Sequence, residues 1–206
     1  MENYSFYASK LYYGFYFFFH TFKNLIKFII QILPFHLRNK YGLNSSIVVD
    51  CTDCPINRPN SDTQKQYYSG KSKRHVIKYQ VAINLIDGTI VSVSAGFAGS
   101  IHDSTILRST GLIDALDRGE SVIADKAYVG NTWCITPIKG QCNGDEQLYN
   151  YILETLRIKV ENVNCRYKNF GCLAQEWRHP IEYHGIVFSV LSNLINLDLQ
   201  LHPIRQ

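Results

Sequence analysis

The chain has 206 residues, 46% of them hydrophobic and 18% charged, with a formal net charge of +4. That length holds one domain with a sizeable core, and hydrophobic content near half with modest charge excludes a mainly disordered chain. The mildly basic balance permits a nucleic-acid partner without demanding one.

The charge is unevenly placed. Residues 1–43 carry Lys10, Lys23, Lys27, Arg38 and Lys40 against Glu2 alone, and the rest of the chain balances. Of the 27 Phe, Trp and Tyr residues, 11 fall within the first 22 positions. Residues 1–43 therefore read as a basic, aromatic leader. It has no early positive charge followed by a small-residue cleavage site, so secretion is not expected. Its longest uncharged stretch, Leu11 to Phe22, has 12 residues, short of the ~20 that span a bilayer, so no stable membrane attachment is expected. Lys23, Lys27 and Gln31 alternate with Leu25, Ile26, Ile29, Ile30, Ile32 and Leu33 before Pro34. That pattern predicts an amphipathic helix that caps the body rather than one that reads DNA.

The body, residues 44–200, reads as alternating strands and helices, with 201–206 as a tail. Ile47-Val48-Val49 predicts a buried strand ending at Asp50. Val76 to Leu85 predicts a second strand, Asp87-Gly88 a hairpin turn, and Thr89 to Val93 the return strand. A helix is expected from Ser104 to about Leu116, capped by Ser100 or Asp103. Ser121 to Ala124 predicts a strand ending at Asp125, and Trp133 to Pro137 a short strand. Leu148, Ile152, Leu156, Val160 and Val163 mark a helix from Glu146 to about Phe170. A last helix is expected from Tyr183 to Leu199.

Of the six cysteines, only Cys51 and Cys54 have metal-like spacing, and a zinc site needs a second such pair. Free thiols are the expectation. His179 and His184 give zinc little further support.

Asp50 and Asp125 share a setting. Each follows a β-branched apolar run, where a carboxylate is costly unless paired or metal-bound. On neighbouring strands the two would converge, and Glu161, on the helix, could reach the same point. Three such carboxylates can hold two hard cations through oxygen ligands, the arrangement that serves phosphodiester cleavage. Composition alone does not select this trio among the sixteen acidic residues of the body.

Short blocks in a fixed order make the choice sharper. They are Val49-Asp50-Cys51-Thr52, Ile56-Asn57-Arg58-Pro59, Tyr68 to Lys73, His75 to Lys78 and Gly99 to Ser104. Ala124-Asp125-Lys126-Ala127-Tyr128, Arg157 to Asn162, Arg166-Tyr167-Lys168 and Trp177-Arg178-His179 complete them. Between Asp125 and Glu161 lie 35 residues. With these blocks the chain resembles the catalytic domain of the DDE transposases, in particular the PIF/Harbinger- and IS5-like endonucleases.

The resemblance implies an α/β fold with a ribonuclease H-like mixed sheet flanked by helices. It implies a triad of Asp50, Asp125 and Glu161 binding Mg²⁺ or Mn²⁺, and DNA as substrate. It further implies self-association as a homodimer, and a nuclear place in a eukaryote or a cytoplasmic one otherwise. Members usually carry a helix-turn-helix region that the leader lacks, so a separate DNA-binding partner protein is an expectation too. Gly usually stands where Cys51 and Ala127 are found, and at Ala127 this predicts disturbed loop geometry, since Gly allows φ > 0.

Lys71, Lys73, Arg74, His75 and Lys78 form the densest basic cluster, suited to DNA phosphates or to a solvated hairpin. Arg157 and Lys168 share a helix face with Glu161 and would add basic groups beside the metal, although an ordinary i,i+4 pair explains Arg157 equally. His102-Asp103 could form a fourth active-site pair, but helix capping by Ser100 or Asp103 is the preferred reading, and Asp53 reads as a turn residue. Two functions of different class follow: a metal-dependent DNA endonuclease, or a truncated or domesticated remnant that binds DNA or protein without cutting.

Overall fold

The computed structural model describes Ser45 and residues 47–60, 63–117 and 119–204. The leader, its expected helix and the boundary at residue 43 lie outside the described residues.

The described residues form strands β1 (Ile47–Pro55), β2 (Tyr68–Ser69), β3 (Arg74–Asn84), β4 (Ile90–Val93), β5 (Phe97–Ala98), β6 (Val122–Ile123) and β7 (Cys134–Ile135). The helices are α1 (Gln64–Tyr67), α2 (Asp103–Ser109), α3 (Gly144–Lys168), α4 (Gly171–Ala174) and α5 (His184–Leu201). The sheet order is β2-β3-β1-β6-β7, with β4 and β5 also paired to β3. β1 and β3 run antiparallel, from Ile47 opposite Asn84 to Pro55 opposite Val76. On its other edge β1 pairs parallel with β6, and β6 parallel with β7. This is the ribonuclease H-like mixed sheet that the sequence implies.

Each face of the sheet buries its own cluster. Val48, Val81, Ile83 and Ile123 pack with Leu153, Val160, Val163 and Tyr167 of α3 and with Phe188 and Ile195 of α5. On the other face Val49, Ala82, Val122 and Ala124 pack with Leu107, Leu112 and Tyr128. Residues alternate between the clusters along β1, as the two-residue period of a strand requires.

Four expectations change. β1 does not stop at Asp50 but continues to Pro55, because β3 supplies pairing partners along its full length. α2 ends at Ser109, and Gly111, at φ +68°, turns the chain into a separate 3₁₀ turn at Ile113–Ala115. The cap of α2 is His102, whose Nδ1 accepts from the Ser104 N–H at 3.3 Å, rather than Ser100 or Asp103. The buried stripe of α3 is Leu153, Val160, Val163 and Tyr167, whereas Leu148 and Ile152 are exposed. The periodicity is real, but the packed face runs through Tyr149, Leu153, Leu156, Val160 and Val163, one residue round from Leu148 and Ile152.

No helix among the described residues is long and apolar enough to cross a membrane.

α3 begins with a capping box. Asn143 Oδ1 accepts from Glu146 N at 3.0 Å, and Glu146 Oε2 accepts from Asn143 N at 2.9 Å. Two N–H groups that a helix start leaves without partners are thereby satisfied. Asn143→Ala is expected to lower the unfolding free energy by about 1 kcal/mol, read from denaturant unfolding followed by circular dichroism.

Candidate active site

The parallel register of β1 and β6 places the acids. Val48 stands opposite Ile123. Two residues farther along come Asp50, still in β1 and on the side of Val48, and Asp125, past the end of β6 and near enough for its charge to act on Asp50. That side is the one covered by α3. Asp125 stands two residues past the end of β6, and its Oδ1 accepts from Ala127 N at 2.7 Å, capping the 3₁₀ turn Lys126–Tyr128.

Ala127 takes no positive φ. The turn is an ordinary 3₁₀ segment, so it needs no glycine, and the expected disturbance is not found. The other departure from glycine has a use: Cys51 Sγ lies 3.3 Å from the Tyr128 hydroxyl. On the face opposite the acids, this contact ties the residue after Asp50 to the turn after Asp125.

Asp50 is the most perturbed acid of the site. Burial pushes its carboxyl up to about 6, and the Asp125 charge pushes the same way. The Cys51 backbone N–H and the charges of Arg157 and Lys71 pull it down. Asn164 of α3 donates from Nδ2 to Asp50 Oδ2 at 2.9 Å.

Arg157, Glu161, Asn164 and Lys168 follow one another at spacings of four, three and four, and so form one stripe of α3. Glu161 does not join the acid pair here. Its Oε1 lies 3.5 Å from Arg157 Nη2, and its side chain is 55% exposed. Among the described residues no three His, Cys, Asp or Glu side chains stand close enough together to hold a metal ion. Lys168 Nζ donates to the Asp53 carbonyl and contacts Cys54 Sγ at 3.8 Å. Asn164 was not among the expected site residues; its place seven positions after Arg157 and three after Glu161 is the signal that could have found it.

The basic residues divide into two groups. Lys71, Lys73 and Arg74 are exposed around the β2–β3 turn, where Lys73 adopts φ +54°. His75 meets the Tyr68 ring edge-on, with centroids 5.6 Å apart. Lys78 points elsewhere: its Nζ lies 2.8 Å from Asp103 Oδ1 and 2.9 Å from the Ile101 carbonyl. Asp53 is a strand residue rather than a turn residue, and its Oδ2 accepts from the Ser69 and Ser72 hydroxyls at 3.0 Å each. Neighbours on a strand face opposite ways, so Cys51 and Cys54 lie on opposite faces and make no metal pair. All six cysteines are free. His184 is buried, with Nδ1 2.8 Å from the Tyr79 hydroxyl, and burial lowers its pKa to about 4.

The family model described as "DDE superfamily endonuclease" matches residues 49–196, a span that contains both aspartates, Glu161 and the stripe of α3. The chain belongs to the DDE superfamily endonucleases. It is similar to a protein named as a probable transposase for insertion sequence element IS702, from Microchaete diplosiphon. The two are 35% identical over 163 residues, covering 75% of this chain and 58% of that protein. This DDE chain thus spans little more than half the length of the relative. No solved structure matches it.

Asp50 carries a pH signature. Its carboxyl is raised from 3.8 to about 6, so the folded state holds the proton more tightly than the unfolded state. The stability it contributes is complete below pH 3.8 and is lost as pH rises through about 6. In metal-free protein, Asp50→Asn is expected to match the parent near pH 4 and to exceed it by about 3 kcal/mol above pH 7. Denaturant unfolding across that range measures the difference.

Proposed function

We infer that this domain cuts phosphodiester bonds of DNA in a reaction dependent on a divalent cation, with Asp50, Asp125 and Glu161 as its acidic residues. The observation that carries the reading is the strand register that sets Asp50 beside Asp125 on the face under α3.

The donor chemistry fits a hard cation. Two carboxylates meet there, and the amide oxygen of the adjacent Asn164, buried and unpartnered among the described residues, would accept from a water bound to the cation. An all-oxygen set of this kind suits Mg²⁺ or Mn²⁺ rather than a softer metal. The raised pKa of Asp50 comes first from burial, so its charged form would gain from a cation bound beside it. Bound there, one ion or a pair of ions would supply activation of the attacking oxygen and neutralise charge on the leaving oxygen.

The chain's own residues would do the rest. Asp50 and Asp125 would be the fixed ligands. Glu161 would complete the set by leaving Arg157, whose charge already reaches Asp50. Lys71, Lys73, Arg74 and His75 would grip DNA phosphates at the β2–β3 turn, a contact that positions the duplex without reading its sequence. Lys78 and Lys168 have their amines engaged within the fold, so a phosphate would have to displace Asp103 or the Asp53 carbonyl. Cutting two DNA ends requires two such sites, which makes self-association part of the proposal.

The full chain with Mn²⁺ is expected to convert supercoiled plasmid to nicked circles. Asp50→Ala, Asp125→Ala and Glu161→Ala are each expected to lose that activity. Nicking no greater than that of Asp125→Ala would sink the enzyme reading and leave a DNA- or protein-binding module. Glu161→Ala as active as the parent would remove Glu161 from the set.

The basic turn has its own readout. Lys71→Ala and Lys73→Ala are each expected to lower the salt slope of DNA binding by about one, measured by fluorescence anisotropy. A slope unchanged in both variants would mark the turn as a merely solvated hairpin.

A further inference from the structure

We propose that Asn164 is a positioning residue of this site, holding Asp50 Oδ2 through its amide so that the other carboxylate oxygen is presented towards Asp125. The inference rests on the metal-dependent reading above and adds a residue to it.

Three observations support it. The first is the contact itself: Asn164 Nδ2 lies 2.9 Å from Asp50 Oδ2. Only the N–H end of the amide can serve an ionised carboxylate, since the oxygen end would repel it. This fixes which way the amide faces.

The second is what the contact is not needed for. Lys168, one turn farther along α3, already ties the helix to β1 at the Asp53 carbonyl and Cys54. Val160, Val163 and Tyr167 bury the helix against the sheet. Docking is thus secured on both sides of Asn164. An aliphatic side chain at this place would pack as well and favour the helix more. The amide is explained by the group it holds, not by the packing.

The third is a cost left open. Asn164 Oδ1 is buried with no hydrogen-bond partner among the described residues. Buried acceptors are rarely left so. Arg157 Nε, on the same stripe, is likewise buried and without an acceptor among the described residues. An unpaired acceptor and an unpaired donor therefore flank Asp50. A hydrated cation would bring water to the first, and a phosphate oxygen would satisfy the second.

Side chains that orient a metal-binding carboxylate typically change affinity or activity by about 10- to 100-fold when removed. The test uses the full chain with Asn164→Ala and Asn164→Leu, the latter keeping the branched layout of the side chain without its polar atoms. Mn²⁺ binding is read directly from the electron paramagnetic resonance of the free ion. Nicking is measured over a range of DNA concentrations.

Both variants are expected to stay folded and to keep their KM for DNA. Their Mn²⁺ half-saturation should rise, and kcat fall, by about 10- to 100-fold. The split between kcat and KM separates positioning from a structural role, which would lower activity only in step with the folded fraction. Parent-like Mn²⁺ binding and kcat in Asn164→Leu would overturn the proposal and leave the metal-dependent reading intact. Failure of the parent chain itself to bind Mn²⁺ would overturn that reading, and this inference with it.

Discussion

An aspartate in the middle of an apolar strand face costs several kcal/mol unless something nearby compensates its charge. Asp50 is placed in this way, between Val48 and Thr52 on the side of β1 that faces the main core. Much of the surrounding structure answers that constraint. The Cys51 N–H and the Asn164 amide bond its carboxyl directly, and Arg157 and Lys71 offset its charge through space. Asp125, set beside it by the parallel strands, works against them. The net result is a carboxyl still raised to about 6, because burial outweighs these compensations.

The helix over the sheet has two tasks, and they fall on different stripes. Leu153, Val160, Val163 and Tyr167 make it part of the core. Arg157, Glu161, Asn164 and Lys168 make it the roof of the site. The capping box at Asn143 fixes where the helix starts, and Lys168 holds its far end against Asp53. Between these points the polar stripe lies along β1. Within that stripe Glu161 lies 3.5 Å from Arg157, an i,i+4 pair.

Much of this was legible in the sequence. The β-branched runs before Asp50 and Asp125 gave both strands, and Asp87-Gly88 gave the hairpin, with Gly88 at φ +78°. The 3.6-residue period gave α3 and α5. What escaped was decided by partners distant in the chain. β1 continues past Asp50 because β3 is there to pair with it. Asp53 looked like a turn residue because the serines that bond it, Ser69 and Ser72, arrive from the next hairpin. Lys78 looked like part of the basic cluster because its partner Asp103 lies 25 residues away. Asn164 is an unremarkable residue type, and only its height on the helix relative to Asp50 gives it meaning.

The pairing of β1 with β6 bears on how such a domain can change. Asp50 and Asp125 are separated by a long stretch of chain that includes a hairpin, two short helices and several turns. Their relation is nevertheless set by two ladder positions, Ile47 with Val122 and Val48 with Ile123, and by Tyr128 against Cys51 on the far side. Lengthening or shortening a surface loop between them leaves that relation untouched. Shifting either strand by one position turns an acid to the opposite face. The chain between the two aspartates is therefore free to acquire insertions and new surfaces for DNA, whereas a deletion of one residue inside either strand would separate the acids.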